Sequence, residues 1–404
     1  MALTNSLPTG LSLRSADDAD WPALARLAAT CFGSFRPPEA TDMWRTMTPA
    51  DGVVLVCDGA DVVGMAQYLD LTMTVPGGAV VPAAGVTWVV VAPTHRRRGL
   101  LRAMLHEMHR RMADAGYPVG ALWASEGGIY GRFGYGPATT EQCLEVDRRW
   151  AQFHPAVPDP GGVRVVAPAQ HRTELADVYE RWRLRTPGGL HSPSVLWDEV
   201  LADRESTRDG GSPFFTLLHP DGFAMYRVHR NPDGKRVEVT KLAALTPDAH
   251  IALWRALLGL DLMDTVTVHT HPDDPLPYLL TDQRRVRTTS SEDALWVRII
   301  DIPSMLQTRT YQADLSAVVE ITDAIGGGGT FALTIRDGSA KAVPTRDTPD
   351  VRTDLSVLGS IYLGTHRASA YAVANRLRCN DSSLLSRFDA AFASDVPAQV
   401  GYDF

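Results

Sequence analysis

Residues 86–105 read "VTWVVVAPTHRRRGLLRAML". Gly85 to Val91 is apolar almost throughout, as expected of a strand covered on both faces. A short turn through Pro93 follows, then Arg96, Arg97, Arg98 and Gly99, and from Leu100 the apolar residues recur at helical spacing towards Ala115. A helix start leaves backbone N–H groups unpaired and carries partial positive charge. Gly99 lets a ligand approach the backbone, and Arg96, Arg97, Arg98 and Arg102 add charge-assisted donors. Strand, loop and helix in this order suit a pyrophosphate. The plain alternative is a basic surface turn in an ordinary α/β unit.

Outward from this stretch the pattern stays α/β. Asp17–Phe32 spaces Trp21, Leu24, Leu27 and Ala28 for one helix face, and 52–57, 62–71 and 117–124 read as strands. A glycine-rich stretch, Gly127–Gly136, follows the last of these. The pattern restarts near Val163: a strand at 163–166, a helix at 171–184, and a hairpin of 214–218 with 223–228 turning on Pro220-Asp221-Gly222. A strand at 237–245 and a helix at 248–259 come next. Residues 239–258, "VTKLAALTPDAHIALWRALL", match 86–105 in order and nearly in register, the mark of a diverged internal repeat. Ala249, His250 and Ile251 stand in place of the arginines and Ala252 in place of the glycine, so this copy is expected not to bind the anion. Beyond Asp301 the strands 317–322 and 331–336 flank Gly326–Gly329, and helical patterns at 354–358, 366–377 and 384–392 complete a small α+β domain.

The 404 residues are too many for one typical core, and the formal net charge is −8. That charge argues against nucleic acid as a partner, which needs a basic surface, and suits cationic ligands. No apolar run approaches the ~20 residues that span a bilayer, and Met1–Arg14 lacks the basic-then-apolar pattern of a secretory leader. Insertion into a membrane is not expected and a cytoplasmic location is. Cys31, Cys57, Cys143 and Cys379 are widely spaced and read as free thiols. His106 with His109, and His269 with His271, lack a third ligand at a familiar spacing, so no metal is expected. The basic run Arg284–Arg287 reads as a solvated loop or a subunit contact.

The loop resembles the acetyl-CoA signature of GNAT acetyltransferases, Gln/Arg-x-x-Gly-x-Gly/Ala, written here Arg96-Arg97-Arg98-Gly99-Leu100-Leu101. Leu101 departs from it. The resemblance implies main-chain pairing of the pantetheine arm to Val89, Val90 and Val91. It also implies a proton donor in "WASEGGIYGRFGYGPAT", residues 123–139. A phenol, with a pKa near ~10, can protonate a departing thiolate. Chemistry alone leaves Tyr130 and Tyr135 both open.

Five stretches resemble the Eis (enhanced intracellular survival) family over essentially the whole chain: "VAPTHRRRGLLRAM" (91–104), "ASEGGIYGRFGYGPATT" (124–140), "HPDDPLP" (271–277), "LGSIYLGTHRAS" (358–369) and "FDAAFASDVP" (388–397). The resemblance implies a GNAT domain at 1–155, a degenerate GNAT-like domain without cofactor at 156–298, and a sterol-carrier-protein-like α+β domain at 299–404. It implies a hexamer, and an acetyl-CoA-dependent transfer to aminoglycoside amines. Tyr130 would be the general acid and the C-terminal carboxylate of Phe404 the base. Acetyl-CoA contacts would fall on Val89, Val90, Val91, Arg97, Arg98, Gly99, Leu100, Leu101, Arg102, Ser125 and Glu126. Substrate contacts would fall on Phe32, Ser34, Trp44, Thr87, Trp88 and Asp403. Ser34 stands where the family often has an acid, which bears on the range of substrates. Protein lysine or a polyamine is the rival acceptor, and a lipid-carrying scaffold is the rival of another class.

Overall fold

The computed structural model describes residues 7–33, 38–232 and 234–404, with 38–40 and 231 as backbone only. They form two compact units. The first comprises 1–139, 294–395 and 402–404, and the second 140–293 and 396–401.

The first unit is built on a seven-stranded sheet. β1 (Leu11–Ser15), β2 (Val53–Asp58), β3 (Asp61–Thr74) and β4 (Val80–Val91) run antiparallel in sequence order. β5 (Val119–Trp123) lies parallel to β4. The strand Leu295–Ile299 then pairs with β5, and the two-residue strand Gly136–Pro137 closes the order. Helix α1 (Trp21–Phe32) has Pro22 in its first turn, where the missing N–H costs nothing. It ends at Gly33, whose left-handed backbone lets its N–H reach the Ala29 carbonyl. α2 (Pro38–Thr46) was not anticipated from the sequence. α3 (Leu100–Asp114) buries Leu100, Met104, Leu105, Met108 and Met112 against Val54, Val56, Ala66, Ala84 and Val86 of the sheet. These residues recur every three or four positions, which is why this stretch winds as a helix with one apolar stripe.

The same unit holds a five-stranded sheet in the order 339–344, 329–336, 315–322, 351–354, 377–379. Its following helix, Leu355–Tyr362, is buried at every residue. That helix meets the larger sheet backbone to backbone. A Cβ on Gly359 would sit 2.1 Å from the Val297 carbonyl oxygen, and one on Gly136 would sit 1.8 Å from that of Ser356.

The second unit carries a seven-stranded sheet, ordered 286–293, 140–147, 265–270, 234–244, 222–231, 215–219, 164–166. The division expected at 298/299 falls inside the strand Leu295–Ile299 of the first sheet. Residues 140–147, expected within the first segment, belong to the second sheet. Each sheet thus takes a strand from the other's stretch of sequence.

The internal repeat is visible in the ladders. In the first copy the parallel pairing of β4 and β5 ends at Val86↔Leu122. In the second, Gly234–Ala244 pairs in parallel with Thr265–Thr270 and stops at Val239↔Val268, and Val239 is the repeat counterpart of Val86. The loops differ. Residues 247–258 are helical from Pro247 onward, with the Thr246 hydroxyl accepting from the Ala249 N–H at 3.1 Å. The counterpart of Pro247 is Thr94, six residues before α3 begins. The second copy has wound its loop into helix and capped it with its own side chain.

Gly359→Ala should lower stability by about 3 kcal/mol, since its methyl meets a backbone oxygen that cannot yield. Chemical denaturation monitored by circular dichroism checks this, and a cost below about 1 kcal/mol would contradict the close approach.

Candidate active site

β4 continues to Val91 while its parallel partner ends at Trp123, and their pairing stops at Val86↔Leu122. Beyond that point the two strands diverge. The edge of β4 facing β5 is left open from Thr87 to Val91, and open strand edges take up extended ligands by main-chain hydrogen bonding. On its other edge β4 pairs with β3, but Met65↔Val90 is followed by Gln67↔Thr87, so a bulge falls at Trp88 and Val89. Trp88 sits there at φ 49°, an uncommon conformation for a bulky side chain. The bulge breaks the two-residue alternation, so four consecutive residues, Val86 to Val89, line the same cavity.

That cavity has a volume of about 260 Å³ and is walled by Phe32 and alanines of α1, by Thr41, by Trp123 and Ser125, and by Tyr130 and Phe404. The Trp88 indole is buried and packs edge-on against Trp21 at 6.5 Å. Phe404, the last residue of the chain, reaches β4 because Gly85 has no side chain. A Cβ at position 85 would lie 3.0 Å from the Phe404 ring and 2.3 Å from the Leu71 side chain.

Past β4 the chain makes one turn of 3-10 helix, Pro93–His95, and then the loop Arg96–Gly99. Arg97 at φ 62° and Gly99 at φ 84° are both left-handed. Such turns point successive N–H groups into one concavity that receives anions. No side chain caps the start of α3, so its first N–H groups remain available, and Arg96 to Gly99 are exposed. Leu101, the departure from the expected pattern, is half-buried against the core beneath α3. The donors therefore suit a diphosphate, and the open β4 edge suits the extended arm of a coenzyme.

The two tyrosines left open by the sequence separate clearly. Tyr130 ends the short helix α4 (Gly127–Tyr130) and lines the cavity. Burial, with the Glu126 charge adding to it, pushes its phenol up to about 12. Tyr135 is fully buried and bonds to His109 Nε2 at 3.0 Å. Burial also holds His109 well below the ordinary imidazole range, so the ring is neutral. The Tyr130 and Tyr135 rings meet edge-on at 6.1 Å.

Of the other residues expected here, Ser125 lines the cavity, Val90 and Val91 end β4, Arg97 to Gly99 form the loop, Leu100 to Arg102 open α3, and Glu126 precedes the short helix that ends at Tyr130. Trp44 is buried and does not line the cavity, and Asp403 is exposed. Ser34 lies outside the described residues. Trp123 was not foreseen; its place at the end of β5 was the available signal. His269 pairs with Glu141 at 3.1 Å, and Arg285 and Arg287 with Asp282 and Glu145. Among the described residues no group of three or more His, Cys, Asp or Glu side chains could hold a metal ion, and no helix is long and apolar enough to cross a membrane.

A split parallel pair, an open loop before a helix and a phenol at the mouth of β5 define an acetyltransferase of the GNAT kind. Family comparison agrees. Residues 12–138 and 188–302 each match an acetyltransferase (GNAT) domain, and 302–399 match a sterol carrier protein domain. The chain is 55% identical to the N-acetyltransferase Eis of Mycobacterium tuberculosis, covering 98% of this chain and all of that protein. An uncharacterized N-acetyltransferase of Streptomyces coelicolor is 36% identical, over 95% of this chain and 97% of its own length. Among solved structures, Eis1 of Mycobacterium abscessus superposes with a TM-score of 0.87 at 28% identity, over 98% of this chain and all of that one. The chain belongs to the Eis family of N-acetyltransferases: two GNAT domains, the second degenerate, and a C-terminal sterol-carrier-like domain.

Tyr135→Phe should cost about 1–2 kcal/mol, because it leaves a buried imidazole nitrogen without its partner, whereas Tyr130→Phe should leave stability nearly unchanged. Parallel denaturation curves check the pair, and equal losses would contradict the separate placements.

Proposed function

We propose that this protein transfers the acetyl group of acetyl-CoA to amines of aminoglycosides, with Tyr130 as general acid and the Phe404 α-carboxylate as base. The observation that carries this reading is that the last residue of the chain and a buried phenol line one cavity, at the point where the β4 edge opens. The pyrophosphate would lie on the N–H groups of Arg97 to Leu101 with Arg96, Arg97, Arg98 and Arg102 around it. The pantetheine arm would pair with Val89 to Val91. The thioester would then lie beside Tyr130. The incoming ammonium loses a proton to the Phe404 carboxylate, directly or through one water, and the free amine attacks the thioester carbonyl. Collapse of the tetrahedral intermediate breaks the C–S bond, the Tyr130 hydroxyl protonates the sulfur, and the second proton shed by the attacking nitrogen returns to the Tyr130 phenolate through solvent. An α-carboxyl has an ordinary pKa near ~3.5 and is a weak base, so partial desolvation in the cavity favours the transfer. Phe32, Trp88, Trp123 and Phe404 give aromatic walls for a polycation, and the formal charge of −8 attracts one.

Thiol release from acetyl-CoA with kanamycin, combined with mass spectrometry of the drug, tests the substrate. One or several acetyl groups per kanamycin are expected, and deletion of Phe404 or extension beyond it should reduce kcat by about 10²-fold or more. Full activity after either change would remove the carboxylate from the mechanism. Turnover of a lysine peptide or a polyamine in place of kanamycin would keep the chemistry and replace the acceptor.

The pH dependence follows from the raised Tyr130. The neutral phenol is the competent form, and it persists until pH reaches about 12. The kcat profile should show no falling limb below about pH 11. A fall centred near the ordinary phenol value of ~10 would contradict an acid placed at Tyr130.

A further inference from the structure

The turn that follows Tyr130 is held by an ion pair that lies far along the chain from it. Arg298 lies on the strand Leu295–Ile299, and Asp323 follows the strand Leu315–Thr322 of the sterol-carrier-like domain. Their side chains are 6% and 1% exposed, and Nη2 meets Oδ2 at 2.7 Å. Arg298 Nη1 also donates to the Phe133 carbonyl at 2.8 Å, and Nη2 to that of Gly326 at 3.3 Å. Phe133 ends the single 3-10 turn Gly131–Phe133, which begins directly after Tyr130. Gly134 next to it is left-handed at φ 78°, and a Cβ there would lie 2.0 Å from Arg298 Nη1. The guanidinium therefore occupies the space a side chain at 134 would need.

The Gly326–Gly329 run folds over the pair. Gly326 and Gly327 have φ of 97° and 118°, and a Cβ on Gly328 would sit 2.3 Å from the Ile321 carbonyl oxygen. A carboxylate and a guanidinium buried this deeply are costly to desolvate. A pair of that kind also grips the carbonyl three residues beyond a cavity-lining phenol, and so holds the backbone of the turn that follows it.

We propose that Asp323, acting through Arg298, is a positioning residue for Tyr130, so that the sterol-carrier-like domain serves the transfer reaction by locking the acid in place. This rests on the reading of Tyr130 given above. The test uses Asp323→Asn, which keeps the shape and removes the charge. It also uses the paired change Arg298→Met with Asp323→Leu, which removes both charges and preserves folding should the single variant lose it. In either folded variant kcat should fall about tenfold to hundredfold, as expected of a displaced catalytic group. KM for acetyl-CoA should stay within about twofold. In a Tyr130→Phe background the same change should have no further effect on kcat. An equal loss in both backgrounds, or a loss confined to KM, overturns the proposal. 3-Fluorotyrosine at position 130 supplies a reading independent of turnover: its ¹⁹F resonance should shift or split in the variants, and an unmoved resonance overturns the proposal. Full activity of Tyr130→Phe alone would instead remove the acid from the mechanism and leave the fluorine resonance to decide the clamp.

Discussion

Two parallel strands that stop pairing leave backbone groups with no partner, and the site is arranged around that constraint. β4 and β5 share hydrogen bonds from Ala83↔Val119 to Val86↔Leu122 and then part. Unpaired amides in a sheet interior are costly unless something else binds them. Here the opening is kept by a bulge at Trp88, flanked by a loop whose N–H groups are uncapped, and closed at one side by Phe404. A ligand with an extended amide-bearing arm and a diphosphate satisfies the open edge and the loop together.

The second copy of the repeat keeps the strand plan and changes the loop. Its strands part at the corresponding residue, Val239, so the backbone plan survives. The loop does not survive. Pro247 to Leu253 has become helix, Thr246 caps it, and His250 and Ala252 stand where Arg97 and Gly99 stand in the first copy. Loss of the anion seat is thus a change of backbone as well as of charge. With Pro247 lacking an N–H and the Ala249 N–H taken by Thr246, this helix start has fewer donors left for a phosphate.

Much of this was legible in the sequence because it is local. The strand before Arg96, the helix after Gly99 and the hairpin around Gly222 follow from apolar spacing and turn residues within a few positions, although the strand begins at Val80, five residues before the start read at Gly85. What was not legible depends on contacts between residues that are not neighbours in the chain. The strand Leu295–Ile299 was not anticipated, and nothing near it says that its partner is β5. Tyr130 and Tyr135 share one glycine-rich stretch, and only packing puts one in the cavity and the other on His109. The left-handed backbone of Trp88 sits in a run of valines and has no sequence signal. Trp44, an aromatic near the right place in the chain, turns into the core.

The residues that complete the site come late in the chain: Leu295–Ile299 beside β5, Arg298 and Asp323 behind the Tyr130 turn, and Phe404 in the cavity. This has an energetic logic. Left-handed Trp88 and Arg97 cost of order 1–3 kcal/mol each, and the buried Arg298–Asp323 pair is at best a weak net stabiliser. Packing the fully buried helix Leu355–Tyr362 against the strand Leu295–Ile299 supplies burial from outside the stretch carrying the loop and the phenol. The sterol-carrier-like domain thus adds burial to the same unit that holds the strained backbone and the open strand edge.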